Sequence, residues 1–282
     1  MWKESYKVGL DFIDTQHKKL FEATQKLLDI TQSADAAARK LECDKAILFL
    51  KEYATRHFAE EEEYMLSINY EELEKQKVLH RIFVSTVHTL EQKLRDLDFG
   101  IPAVKEFTGF LTTWLIYHVA GVDQRIGGKK RAAEDTSTVA SSYINCFAQS
   151  VRNVLETMAG LTAGSVSFAP HRANDDDIRI LVGLVGDHEG HSVFTFSRKF
   201  TFGLIKALTS IELTDIDELA CSALCEMANI ISGNASALIS SSGANSDITT
   251  PQILSGPAKE ESTGGFYLDT EFGRLAVSVD IA

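Results

Sequence analysis

Hydrophobic residues in the first half of the chain recur every three or four positions, the spacing of amphipathic helices. An irregular opening over residues 1–14 comes first. Four helices are then predicted at about 15–31, 36–67, 70–97 and from Pro102 to about Asp123. The short connection Asp98-Phe99-Gly100 favours antiparallel neighbours. The pattern therefore predicts an all-α, up-and-down four-helix bundle.

The second half mixes the helical period with the alternating period of strands. Helices are predicted at about 141–158, 199–209 and 214–240. Strands are predicted at 164–168, 178–185, 192–197, 247–254, 266–271 and 275–281. This order predicts an α+β domain in which long helices pack against a sheet rich in antiparallel pairs.

Two glycines and a small basic cluster interrupt the helical pattern between the two halves, at 126–137. We therefore divide the chain into a bundle at 1–128, a linker at 129–140 and an α+β domain at 141–282. As an alternative, the fourth bundle helix continues through the linker and couples the two domains mechanically.

The net charge of the chain argues against some classes of binding partner. The chain has 28 Lys and Arg against 40 Asp and Glu, a formal net charge of −12, which argues against nucleic acid or an anionic membrane as the main partner. The start of the chain has no targeting pattern, and no apolar run is long enough to span a bilayer. We expect a soluble, cytoplasmic protein.

Each predicted bundle helix carries a histidine on its apolar side. These are His17, His57, His80 and His118. Glu61 lies one helical turn after His57, and Asp123 follows the last histidine. One buried His–Glu pair could be a hydrogen-bonded core couple, but such convergence points to metal ligands, because isolated polar groups are costly to bury. Imidazole with carboxylate suits iron, with zinc or manganese also possible, and two carboxylates could bridge two ions.

These segments resemble the bacterial hemerythrins, four-helix bundles that bind oxygen reversibly at a di-iron centre. The matching stretches are VGLDFIDTQH at 8–17, HFAEE at 57–61 with Met65, Gln76 to His80 with Phe83, and Trp114 to His118 with Asp123. The resemblance implies that His17 and His57 hold one iron and that His80 and His118 hold the other. It also implies that Glu61 and Asp123 bridge the two, with O2 as the ligand.

One position departs from the family pattern. The family has HxxxH on the third helix, and here Gln76 stands at the first position. The second iron would then have His80, His118 and an amide oxygen, a water or a vacancy. An amide oxygen is a harder ligand than imidazole. A tolerated swap with ordinary oxygen binding is one reading. The others are a more labile or open site, faster oxidation or a different resting ligand, and we favour a site tuned for sensing.

Other polar residues near the motifs are predicted to lie outside the centre. Glu60, Glu62 and Glu63 are expected to form a solvated acidic face, since they continue a run of charge along the helix. His88 lies two turns beyond His80 on the third helix and is expected to be peripheral.

The long helix of the second half carries Glu226 and Asn229, three residues apart on one polar face that is expected to point out of the domain. Such a pair alone is uninformative. Its surroundings, EMANIISGNA at 226–235 and DITTPQILSGP at 247–257, resemble the CheX/CheC/FliY phosphatases of bacterial chemotaxis. The likeness runs from about Tyr143 to the C-terminus, and only one ExxN helix is evident, as in CheX.

This second resemblance implies dephosphorylation of a response-regulator receiver. The receiver would supply the aspartyl-phosphate and Mg²⁺, so the phosphatase adds mainly positioning and electrostatics. Asn229 would orient the attacking water, and Glu226 would bind a lysine of the receiver. The resemblance also implies a homodimer through this domain.

Together the two halves predict an oxygen- or redox-sensing di-iron protein whose CheX-like domain dephosphorylates a phosphorylated CheY-like response regulator. In this hypothesis, the state of the metal changes the exposure of Glu226 and Asn229. Two alternatives stay open. The CheX-like domain could dock or dimerise without turnover, or the bundle could be a di-iron enzyme that processes oxygen or peroxide.

Overall fold

A computed structural model of the chain describes most of its length. The described residues are 1–33, 35–127, 139–162, 166–169, 171, 173–241, 243–255 and 264–281, with the side chains of 139–142 left out. The predicted linker at 129–140 lies outside these residues, apart from the backbone of its last two. Two compact units result: Met1–Arg131 with Asp217–Leu219, and Ala132–Ile216 with Ala220–Ala282.

The first unit is the predicted bundle, which confirms its fold class. Its helices are α1 (Asp11–Ile30), α2 (Ala36–Ser67), α3 (Leu73–Asp96) and α4 (Ile101–Tyr117). Both α1 and α3 pack against α2 and α4, as an up-and-down bundle requires. A 3-10 turn at Glu4–Tyr6 precedes α1, while a π turn at His118–Val122 and a 3-10 turn at Asp123–Arg125 follow α4.

The opening of the chain is more ordered than its pattern predicts. Helix α1 begins at Asp11, inside the segment expected to be irregular. The carboxylate of Asp14 accepts hydrogen bonds from the backbone N–H groups of Val8, at 2.6 Å, and Gly9, at 3.1 Å. Gly9 has a φ of +96°, a conformation that a residue without a Cβ adopts easily. The acidic side chain thus fixes the entry into α1.

The second unit contains three helices and one sheet in its described part, which confirms the α+β class. The helices are α5 (Val139–Ala159), α6 (Arg198–Thr209) and α7 (Glu218–Ser241). The strands are β1 (Val166–Ser167), β2 (Ile178–Gly186), β3 (Gly190–Phe196), β4 (Ser246–Ile248), β5 (Gln252–Ile253), β6 (Gly265–Thr270) and β7 (Gly273–Ile281). The strand order is β1-β6-β7-β3-β2-β4, with β5 also on β2, and every pair is antiparallel.

One face of this sheet packs against the helices. Ile180, Phe194 and Val277 are direct cross-strand partners on β2, β3 and β7, and all three are buried. The ring of Phe147 on α5 lies 6.2 Å from that of Phe194. Burying one side of each strand fixes the register, since a slip of one residue would turn these side chains to the opposite face.

The strand predicted at 247–254 is wrong in its middle. Two short strands, β4 and β5, pair with β2 on either side of residues 249–251. Within the gap, the hydroxyl of Thr249 accepts a hydrogen bond of 2.9 Å from the N–H of Gly183, and Pro251 has no N–H to donate. The backbone N–H of Thr249 still donates to the carbonyl oxygen of Gly183, at 3.0 Å, so the side chain replaces only one of the two backbone bonds at this point.

Helix α7 is anchored to α5 by a buried polar contact. The hydroxyl of Ser150 on α5 donates a 2.7 Å hydrogen bond to the carbonyl oxygen of Ile231 on α7. None of the described helices is both long and apolar enough to cross a membrane.

Candidate metal centre and candidate phosphatase face

The bundle brings every predicted metal ligand to one level of its core. The residues are His17 on α1, His57 and Glu61 on α2, Gln76 and His80 on α3, His118 after α4, and Asp123 one turn later. Each of them is at most 3% exposed. The helices run antiparallel, so side chains that are far apart in the sequence meet at the same height.

Two sets of three side chains have the geometry of a metal site. One is His17, His57 and Glu61, and the other is Glu61, His80 and His118. Within each set the candidate ligand atoms lie within 4.8 Å of one another. Glu61 belongs to both sets, with one carboxylate oxygen 3.9 Å from Nε2 of His17 and the other 3.3 Å from Nε2 of His80. A carboxylate placed in this way can contact two ions at once.

Asp123 also approaches one histidine of each set. Its Oδ2 is 3.3 Å from Nε2 of His17, and its Oδ1 is 3.3 Å from Nε2 of His118. Gln76 donates a 3.2 Å hydrogen bond from Nε2 to that same Oδ1. Gln76 is therefore inside the centre, beside Asp123 and the His80–His118 pair.

The π turn after α4 explains why the spacing HxxxxD works. Residues five apart do not share a face of an α-helix, whereas a π turn pairs residue i with residue i+5. The N–H of Asp123 bonds to the carbonyl oxygen of His118, and the two side chains approach within 3.3 Å. One π turn thus places both ligands on one side of the helix.

Two outer hydrogen bonds orient the histidines, and neither was predicted from the sequence. Nδ1 of His57 donates to Oε1 of Gln16 at 2.8 Å, and Gln16 donates in turn to Glu60. Nδ1 of His80 donates to Glu62 at 2.6 Å. Glu60 and Glu62 are partly exposed, as expected of an acidic face, and each also accepts a hydrogen bond at the edge of the centre. A ligating imidazole needs a partner for its second nitrogen, and this rule was the available signal.

Aromatic rings enclose the His80–His118 side of the centre. Phe58 stacks on His80 with ring centroids 4.0 Å apart, and Trp114 stacks on His118 at 4.3 Å. Such apolar surroundings limit solvent access and strengthen electrostatic interactions inside the centre.

Burial shifts the pKa of several of the candidate ligands. It lowers the pKa of His118 to about 3, and together with the neighbouring His17 it lowers the pKa of His57 well below its ordinary value. Both imidazoles are therefore neutral at pH 7, the form that binds metals. Burial and the nearby Asp123 carboxylate raise the pKa of Glu61 to about 7.

Several buried polar atoms in the centre have no hydrogen-bond partner among the described residues. They are both ring nitrogens of His17, both oxygens of Glu61, Oε1 of Gln76 and Oδ2 of Asp123. Leaving such atoms unsatisfied costs about 1–3 kcal/mol each. A cation bound between neutral imidazoles and carboxylates would satisfy them together, so this ligand set fits a metal.

The second unit holds the other predicted pair. Glu226 and Asn229 lie on α7, and Nδ2 of Asn229 is 3.5 Å from Oε2 of Glu226. Both side chains are half-buried, whereas the sequence pattern predicts that they point out of the domain. Burial raises the pKa of Glu226 to about 8, although the hydrogen bond from Asn229 opposes this shift.

Comparison with known proteins agrees with the first set of motifs. The Hemerythrin HHE cation binding domain matches residues 8–129. Bacteriohemerythrin of Clostridium acetobutylicum is 33% identical over 124 residues, which cover 44% of this chain and 95% of that protein. The chain belongs to the hemerythrin family. Its hemerythrin domain is the four-helix unit that holds the candidate metal centre.

The second unit is CheX-like. The family model Chemotaxis phosphatase CheX matches residues 178–264. The chemotaxis protein CheX from Vibrio vulnificus is 22% identical, with a TM-score of 0.45 over 52% of this chain and 100% of that chain. A CheX–CheY–BeF3–Mg²⁺ complex from Borrelia burgdorferi gives 23% identity and a TM-score of 0.43, over 49% of this chain and 97% of that chain.

The number of protons released on metal binding should depend on pH. Because the pKa of Glu61 is about 7, this carboxyl is protonated in acid and must lose its proton to bind a cation. We expect more release at about pH 6 than at about pH 8. Calorimetric titration with Fe²⁺ under anaerobic conditions, in buffers of different ionisation enthalpy, measures it. Glu63→Gln should leave the release unchanged, and equal release at both pH values would contradict the assignment.

Proposed function

We propose that this chain is a cytoplasmic sensor-effector. Its hemerythrin domain binds a pair of iron ions and responds to oxygen or redox state. Its CheX-like domain dephosphorylates a phosphorylated CheY-like receiver. The observation that carries the first part is the buried cluster of unpaired imidazole, carboxylate and amide atoms in the bundle core.

Each ligand has a role in this proposal. His17 and His57 hold one ion, and His80 and His118 hold the other. Glu61 and Asp123 each approach a histidine of both pairs, so each would offer a carboxylate oxygen to both ions. Gln76 supports Asp123 and offers its amide oxygen to the second ion. When bound, iron would supply reversible oxygen binding and redox chemistry.

The outer residues fix this arrangement before any ion arrives. Gln16 holds His57 through Nδ1, and Glu62 holds His80 in the same way, so both Nε2 atoms are directed to the centre. The aromatic rings of Phe58 and Trp114 exclude water from one side. These contacts lower the cost of assembling the ligands.

The di-iron assignment predicts two irons per chain and an optical band that develops with oxygen and fades when oxygen is removed. Anaerobic reconstitution, iron analysis and absorption spectra measure both. His80→Ala should lose iron and the band, because it removes a ligand from the buried set. His88→Ala changes an exposed histidine of the same helix and should retain both. Absence of iron from the wild-type protein would contradict the proposal.

The chemistry of the CheX-like domain requires few groups of its own. The receiver carries the aspartyl-phosphate and the Mg²⁺, so the phosphatase must place a water and dock the receiver. We assign the water to the amide of Asn229 and the docking to Glu226, which pairs with a lysine of the receiver. Their separation of 3.5 Å allows one partner surface to contact both side chains. The family resemblance also leads us to expect a homodimer through this domain.

Asn229→Ala should lower the rate at which this protein dephosphorylates the receiver about a hundredfold, because the variant lacks the amide that positions the water. The receiver would then lose phosphate only at its slow intrinsic rate. Phosphate-affinity electrophoresis of a CheY-like receiver phosphorylated with acetyl phosphate measures its lifetime. Asn153→Ala, the same change on α5, should behave as wild type. Equal lifetimes for wild type and Asn229→Ala would contradict the phosphatase function and favour docking without turnover.

The pKa of Glu226 predicts a pH dependence of docking. Its pKa is about 8, so the carboxyl is mostly neutral at pH 7 and becomes charged as the pH rises. Pairing with a lysine needs the charged form, and receiver affinity should therefore increase between about pH 7 and pH 9. Calorimetric titration with the phosphorylated-state analogue of a receiver measures it. Glu226→Gln should bind weakly and without this rise; a rise that persists in this variant would contradict the role.

A further inference from the structure

Gln76 is the residue in the metal centre that departs most in chemistry from its neighbours. It is 1% exposed, and its Nε2 donates to Oδ1 of Asp123 at 3.2 Å. Its Oε1 has no hydrogen-bond partner among the described residues. The charge of Asp123 fixes this orientation, because turning the amide over would bring two oxygens together. A buried carbonyl oxygen is thereby left free to bind a cation.

This oxygen belongs to one side of the centre. Oδ1 of Asp123, which Gln76 contacts, is also 3.3 Å from Nε2 of His118. That nitrogen is in turn 3.1 Å from Nε2 of His80. Gln76 thus contacts the oxygen of Asp123 that faces His118, whereas the other oxygen, Oδ2, is the one 3.3 Å from His17; we therefore assign Gln76 to the His80–His118 pair.

The opposite pair has a glutamine as well, but that glutamine is already bonded. Oε1 of Gln16 accepts the hydrogen bond from Nδ1 of His57, and its Nε2 donates to Glu60. Gln16 therefore orients a ligand and has no unused oxygen directed at the centre. The two subsites share Glu61 and Asp123 and have two imidazoles each, so the amide oxygen of Gln76 is the difference between them.

Donor type determines which ion each subsite prefers. Imidazole suits iron and zinc, whereas carbonyl and carboxylate oxygens suit manganese and magnesium. An added neutral oxygen shifts the His80–His118 subsite towards harder ions, while the His17–His57 subsite keeps the balance that favours iron. Most sites bind Fe²⁺ more tightly than Mn²⁺. An added oxygen donor reduces this difference in affinity at the His80–His118 subsite.

We propose that Gln76 makes the His80–His118 subsite a manganese-accepting position, so that the chain holds a mixed iron–manganese pair when both ions are present. This inference rests on the proposed two-metal centre. Gln76 is its specificity-determining ligand, and the oxygen it contributes is the atom that the rest of the centre leaves unpaired.

Metal competition tests this proposal on the full chain. The protein is stripped with a chelator and refilled anaerobically from an equimolar mixture of Fe²⁺ and Mn²⁺, and each bound metal is measured by mass spectrometry. We expect the wild-type chain to hold iron at the His17–His57 subsite, with the His80–His118 subsite shared between iron and manganese. Gln76→His should raise the bound ratio of iron to manganese about tenfold, because imidazole replaces the hard donor.

Two further variants separate donor type from the shape of the residue. Gln76→Glu keeps an oxygen and should keep manganese, whereas Gln76→Leu removes the donor and should lose it. Thr89→His places a new histidine at an exposed position of the same helix and should leave the ratio unchanged. Circular dichroism verifies that each variant is helical.

The outcomes distinguish this inference from the proposed function. Wild-type protein that binds two irons with no manganese, or an equal metal ratio in wild type and Gln76→His, would overturn the role of Gln76 and leave the di-iron function intact. Wild-type protein that binds neither metal would overturn the proposed function itself. Manganese retained in Gln76→Leu would show that the carboxylates alone accept it, and would also overturn the assignment.

Discussion

The hemerythrin domain depends on one constraint, the burial of polar ligands at the centre of four helices. Carboxylates and imidazoles that are almost fully enclosed and only partly hydrogen-bonded oppose folding. A bound cation turns this cost into stabilisation, because it satisfies several lone pairs at once. The helices of the bundle, their outer hydrogen bonds and the stacked rings of Phe58 and Trp114 all serve to hold that cluster in place.

The two units differ in how deeply their candidate sites are buried. In the hemerythrin domain the candidate ligands are almost fully enclosed, and burial lowers the pKa of His57 and His118. In the CheX-like domain, Glu226 and Asn229 are half-buried on one helix. Partial burial still matters there, since it raises the pKa of Glu226 to about 8 and makes its charge sensitive to pH.

Much of the candidate site could be predicted because metal ligands follow the helical period. His57 and Glu61 are one turn apart, so helix geometry alone places them together. The strand pattern was less informative at 247–254, where alternation suggested one strand. There the pairing with β2 is broken into β4 and β5, and the hydroxyl of Thr249 takes one of the bonds to Gly183. Periodicity reports which residues share a face, but a side chain can take over a backbone hydrogen bond without changing that period.

The sequence by itself determined the architecture and the ligand types, because hydrophobic period and residue chemistry are local properties. Only the tertiary structure decided which atoms of those residues are used. In the tertiary structure, Gln16 and Glu62 accept hydrogen bonds from Nδ1 of His57 and His80, while Oε1 of Gln76 has no partner among the described residues. The tertiary structure also introduced the π turn that aligns Asp123 with its histidine. Such choices depend on distances between helices that are remote in sequence, and no pattern along one segment encodes them.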